Sequence, residues 1–198
     1  MTSSGAGVEG GPTGEFLTTE DHQTLHRLLL TRAFQFGEFV LSSGKKSTYY
    51  FDGKQVTLDP GGAYLVARAV LDKVKGKGVQ AVGGPVIGAD PIVGAVAVVC
   101  ALQGLNMGLF IVRKDAKRYG KRRRIEGPPL QPGTRVAVVD DVLTTGGSIL
   151  EAVEAVQEAG CVVVKAVVLV DRREGGTELL ESKAIPVDPI FTIEDFKV

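Results

Sequence analysis

No excess of either charge marks this chain: 23 basic and 23 acidic side chains cancel over 198 residues. No global field draws it to nucleic acid or to a membrane, so any electrostatic binding has to be local. Cysteine is scarce. Cys100 and Cys161 each lie in an apolar run, and no C-x-x-C pattern offers metal or redox chemistry, so both are expected as buried free thiols in a reducing cytosol. The two histidines, His22 and His26, stand four apart, a spacing that can bind metal. No third ligand is evident, and they read as ordinary helix-surface residues. Residues 1–14 lack the basic and apolar blocks of a signal peptide; rich in Gly, Ser and Thr, they read as a disordered tail. Gln103, Gly104, Asn106 and Gly108 interrupt the apolar stretch Pro91–Val112, which fits a buried helix, a turn and a strand better than the roughly 20 lipid-facing residues of a span. Neither a Walker A loop nor a G-x-G-x-x-G loop is present. A single cytoplasmic domain follows from length and these absences, touching neither membrane nor nucleic acid.

What the chain does contain is concentrated in Arg135–Gly160. The run RVAVV has the apolar, β-branched pattern of a buried parallel strand. Asp140 and Asp141 follow where that strand should end, and then a small-residue turn, Thr144-Thr145-Gly146-Gly147-Ser148. Beyond it, Ile149, Leu150, Val153 and Val156 fall at helical spacing, with Gly160 as the stop. A strand feeding a helix through such a turn gathers backbone N–H groups and hydroxyls at a helix N-terminus, where a phosphate monoester binds well. Two carboxylates have the wrong sign for an anion but suit the hydroxyls of a polyol. Together they read as a holder for a ribose 5-phosphate.

Along the rest of the chain, Thr18–Ala33 is expected as a helix capped by Thr18 or Thr19. Phe39–Leu41 and Tyr49–Phe51 predict a hairpin. Its three successive aromatics cannot all face one core, so either this is a plain edge strand or one ring is left to stack on a flat heterocycle. Helices are expected over Gly61–Val74, Ile92–Leu102 and Glu178–Lys183, and strands over Gln80–Gly83, Leu109–Val112, Cys161–Val170 and Ile185–Ile193. This alternation argues a mainly parallel α/β sheet. The Gly-rich turn Gly84-Pro85-Val86-Ile87-Gly88 after a strand is a second candidate anion nest. Between Arg113 and Gly127 basic residues crowd together, Arg122–Arg124 among them: a solvated surface, a nucleic-acid patch, or a lid that closes over a polyanion.

The strand, acid pair and TTGGS loop resemble the phosphoribosyl-pyrophosphate (PRPP) motif of type I phosphoribosyltransferases. LSSGKKSTYYFD and VRKDAKRYG narrow the resemblance to orotate phosphoribosyltransferases, and it covers the chain from about Phe16 onward. It implies the type I fold: a mainly parallel central sheet flanked by helices, with a small N-terminal hood over about 15–58 plus a C-terminal segment, residues 15–198 forming one domain. It implies Mg²⁺-dependent transfer of ribosyl 5-phosphate from PRPP to orotate by a cytoplasmic homodimer with shared active sites. By the same resemblance Lys117, Asp140 and Asp141 are catalytic. Arg113, Lys114 and Lys117, the acid pair, Val142, Leu143 and Thr144–Ser148 hold PRPP. Gly84–Gly88 takes the pyrophosphate; Tyr50, Phe51, Thr144 and Arg172 take orotate. Mg²⁺ would be bound mainly through PRPP, with no metal ligands assigned in the chain.

Three positions depart from the family pattern. Ser42 and Gly88 stand where many or some members have lysine, and Tyr119 replaces a loop histidine, which removes a group that titrates near neutrality. Two other functions share part of the pattern. A purine-using phosphoribosyltransferase would keep the central motif but not the hood segment or the Lys-rich loop. A non-catalytic regulator sensing PRPP would use the KRRR run on nucleic acid.

Overall fold

The structure, a computed structural model, describes residues 16–40, 46–114 and 124–196. Ser42, Lys117, Tyr119, Arg122, Arg123 and the 1–14 tail lie outside those residues.

The chain opens with α1 (Thr19–Leu28). Thr18 caps it: its hydroxyl accepts from the Asp21 N–H at 3.1 Å while the Asp21 carboxylate accepts from the Thr18 N–H at 3.0 Å. The expected helix to Ala33 holds only in part, because Leu29–Ala33 widens into a π-helical turn before β1 (Phe34–Val40). β1 pairs antiparallel with β2 (Lys46–Phe51), so the hairpin is longer than its aromatic clusters suggested. A one-turn helix, α2 (Lys54–Thr57), follows directly, where the sequence had suggested none.

The main body comprises α3 (Pro60–Val74), β3 (Ala81–Pro85), α4 (Ala89–Gln103), β4 (Gly108–Val112), β5 (Ile125–Glu126), β6 (Arg135–Leu143), α5 (Gly147–Glu158), β7 (Val162–Asp171), α6 (Gly176–Ser182) and β8 (Val187–Thr192). Its sheet runs β5-β4-β3-β6-β7-β8, parallel throughout except for the short β5. Side chains alternate across it. Val136 and Val138 of β6 join a core with α5 and α6, whereas Ala137 and Val139 join a core with α1, α3 and α4. Both faces are therefore covered, which is why these strands read as unbroken apolar runs. Each such valine, fully buried, is worth roughly 1.5–3 kcal/mol.

From β3 the chain winds outward to β4; from β6 it winds the other way, to β7 and β8. The reversal between β3 and β6 opens a crevice at their carboxyl ends, the place where ligands bind in open α/β sheets. Among the described residues, no helix is long and apolar enough to cross a membrane.

The N-terminal unit is held by aromatic packing. Phe34 contacts Phe51 and Phe196, at centroid distances of 5.0 and 4.8 Å. His26 stacks on Phe196 at 4.8 Å and its Nε2 lies 2.9 Å from the Asp195 carbonyl; His22 lies 4.5 Å from Phe191. The two histidines, on the helix surface as expected, also pack the C-terminal segment onto α1.

Candidate active site

A cavity of about 460 Å³ lies at the β3/β6 crevice, walled by Val86–Gly88, Asp140–Ile149, Lys54 and Glu151. The sequence placed the acid pair just beyond its strand. In fact β6 runs on to Leu143, and both carboxylates belong to it, with Asp140 paired to Val168 of β7. They are buried, at 8% and 3% exposure. Burial, with the Asp141 charge beside it, pushes the Asp140 carboxyl well above the usual carboxylate range, although the Asp141 N–H donates to it at 3.0 Å.

The TTGGS turn then enters α5. Gly146 has a left-handed φ of 84° and serves as N-cap without any side-chain cap, so no side chain competes for the N–H groups of the first turn. Gly176, at the start of α6, backs this turn so closely that a Cβ there would collide with the Thr144 carbonyl and the Leu143 side chain. Opposite, Gly84 and Pro85 end β3, Val86 and Ile87 rim the cavity, and Gly88 leads into α4. A side chain at position 88 would collide with both Asp140 and Asp141; the glycine that stands there lets the two turns close on one another.

The Val86 N–H donates to the Val112 carbonyl at 3.0 Å, so this turn is tied to the base of the basic segment. There the Arg113 N–H donates to the Arg124 carbonyl at 2.8 Å, and β5 pairs with β4. Arg113 and Lys114 are exposed at that base and do not line the cavity.

Arg172 follows β7, its N–H donating to the Leu143 carbonyl at 2.9 Å. Its side chain, 8% exposed, pairs with Glu174 at 2.9 Å and lies over the Tyr49 ring at 5.1 Å. Asp171 sets this turn, accepting from the Arg173 N–H at 2.8 Å and the Thr177 hydroxyl at 2.7 Å. The aromatic pair divides. Tyr50 is 43% exposed, while Phe51 is 5% exposed and packed on Phe34, so Phe51 is no open stacking surface in this structure. Tyr49, which the sequence did not single out, is the ring on Arg172.

Lys54 was also missed. Its Nζ lies 3.1 Å from Asp141 and 3.3 Å from Asp52. Burial pulls this ammonium down, but the two carboxylates outweigh it and hold its pKa above the ordinary lysine value.

The phosphoribosyl transferase domain model matches residues 86–195, from the Gly-rich turn through β8. An orotate phosphoribosyltransferase of Nostoc sp. is 45% identical over 90% of this chain and 88% of its own. That of Thermosynechococcus vestitus is 47% identical over 88% of this chain and 92% of its own. The chain belongs to the orotate phosphoribosyltransferase family. A crystal structure of the Mycobacterium tuberculosis orotate phosphoribosyltransferase in complex with PRPP superposes with a TM-score of 0.76, at 31% identity, over 90% of this chain and 99% of that one. The type I fold of the phosphoribosyltransferases, with a small antiparallel sheet beside the main one, is the fold found here.

Proposed function

We propose that this orotate phosphoribosyltransferase transfers the ribosyl 5-phosphate of PRPP to N1 of orotate, releasing pyrophosphate in a late step of pyrimidine synthesis. The observation that carries this reading is the joint cavity. One strand's turn offers an uncapped helix N-terminus for the 5-phosphate, the next offers a Gly-rich nest for pyrophosphate, and a buried acid pair lies between them.

Departure of pyrophosphate leaves positive charge at the anomeric carbon and negative charge on the leaving oxygens. The Gly84–Gly88 turn and Arg113, Lys114 and Lys117 would meet the latter. Asp140 and Asp141 would fix the ribose through its hydroxyls. Arg172 would take the orotate carboxylate as a planar, bidentate partner, exchanging Glu174 for it. Tyr50 would stack on the ring.

Mg²⁺ is proposed to arrive on the substrate. Hard carboxylate oxygens that repel one another within a cavity suit such a cation, and Asp140 and Asp141 would face it. When bound it supplies charge neutralisation on the pyrophosphate.

A homodimer is proposed because apolar side chains stand outward: Val98 and Leu102 are 59% and 78% exposed, one turn apart on α4. Two exposed apolar side chains adjacent on one helix face suit a surface that a partner covers. The buried free thiols suit a cytoplasmic setting.

The test is the ultraviolet absorbance of orotate with PRPP and Mg²⁺, beside a Lys117→Ala variant. Loss of orotate that needs Mg²⁺ and drops in the variant supports the reading. Turnover only with hypoxanthine, guanine or adenine discards the roles of Arg172 and Tyr50, and silence with every base discards the transfer.

A further inference from the structure

Lys54 is the only cation among the described residues that line the cavity. It begins α2, immediately after the hairpin, and Gly53 before it packs so near the acid pair that a Cβ there would lie 3.1 Å from the Asp141 Cβ. The backbone carrying Lys54 is therefore held against β6, while Gly88 closes on the same two carboxylates from the pyrophosphate side. Ammonium, acid pair and Gly-rich turn share one wall of the cavity.

The ion pair is lopsided. Asp141 has a side chain only 5% exposed, fixed within a strand, whereas the Lys54 side chain remains 40% exposed on a flexible stem. The carboxylate cannot leave; the ammonium can. A compact, strongly hydrated charge with three rotatable donors suits phosphate oxygens, which accept from many directions. While it sits on Asp141, moreover, it occupies an acceptor that the ribose hydroxyls would need.

We propose that Lys54 is a binding residue for the pyrophosphate group: its ammonium, which covers Asp141 in this structure, turns to the pyrophosphate on entry of PRPP and frees that carboxylate for the ribose. The inference rests on the PRPP reading of the cavity. No bond is made or broken; one ammonium exchanges one anionic partner for another. The two halves of the substrate are thereby coupled, because pyrophosphate binding uncovers the ribose site. A ligand with the ribose 5-phosphate but no pyrophosphate gains nothing from Lys54 and must compete with it for Asp141.

The experiment is calorimetric titration of wild type, Lys54→Met and Lys54→Arg with PRPP, with pyrophosphate and with ribose 5-phosphate, each with Mg²⁺ present. Lys54→Met is expected to weaken PRPP and pyrophosphate about tenfold or more, the scale of one charge-assisted contact. Ribose 5-phosphate should bind unchanged or tighter, and Lys54→Arg should recover most of the PRPP affinity. Equal losses for PRPP and ribose 5-phosphate would overturn the proposal, leaving Lys54 as a support for the acid pair. No loss for PRPP would overturn it too, leaving an ion pair with no part in binding. Wild type that binds no PRPP at all would remove the reading beneath it. Melting curves identify a variant that fails to fold, and Lys54→Gln then stands in for Lys54→Met.

Discussion

Asp140 is held in a place that ionisation makes worse. Its carboxyl is pushed above the usual range by burial and by Asp141, so the folded chain keeps that proton to higher pH than the unfolded chain does. Stability must then fall as pH rises from the ordinary carboxylate value through the raised one. Asp140→Asn keeps the oxygen that accepts the Asp141 N–H and removes the charge. It is expected to melt higher at neutral pH, by about 2–4 °C for each kcal/mol regained, and to flatten stability against pH, while PRPP affinity drops. A melting curve across pH, beside a PRPP titration, checks both signs. Arg172→Ala should raise the orotate KM roughly tenfold or more with PRPP affinity nearly unchanged, the split expected when a charged partner touches only the base. The residues carrying these effects were unequally legible. The acid pair and Arg172 announce themselves as runs of unusual chemistry. Lys54 does not, because Asp141, the partner that brings it to the cavity, lies 87 positions away, and Phe51 looked available because alternation in a hairpin does not say which face turns inward.

At the scale of elements, the strands and helices of the main sheet were readable because burial on both faces leaves unbroken β-branched runs, and because glycines mark the turns between them. What escaped the sequence were features set by contacts between elements: the π-helical turn at Leu29–Ala33, the single turn of α2, and the extension of β6 past its carboxylates. One such contact is directly testable. Gly176 lies outside every binding motif yet presses on the TTGGS turn, with no space for a Cβ against the Thr144 carbonyl. Gly176→Ala is expected to cost about 1–3 kcal/mol by overpacking and to weaken ribose 5-phosphate binding, since the turn must shift to admit the methyl group. Denaturation and a ribose 5-phosphate titration read the two effects separately. Loss of stability with unchanged binding would show that the turn does not move.

For the whole molecule, the exposed pair Val98 and Leu102 on α4 makes a prediction about assembly. Leu102→Glu, at a position 78% exposed, should leave the fold intact and yield monomers by light scattering, with turnover reduced if neighbouring subunits complete each site. Charge balance predicts no nucleic-acid binding at physiological salt, which a binding titration across salt checks. The sheet itself has one further effect. β3 and β6 are adjacent and in parallel register, Ala81 with Val136 and Gly83 with Val138, so the two turns proposed to hold anions ride on one frame. Under the proposed function, such a frame would make PRPP a bivalent ligand. Once either end is seated, the other binds as though at high local concentration, and the intact molecule holds far better than its parts. Transfer cuts that ligand in two. On the proposed reading, pyrophosphate and nucleotide then bind separately, each through its own share of the cavity, and the chelate advantage that gathered the substrate is gone when the products have to leave.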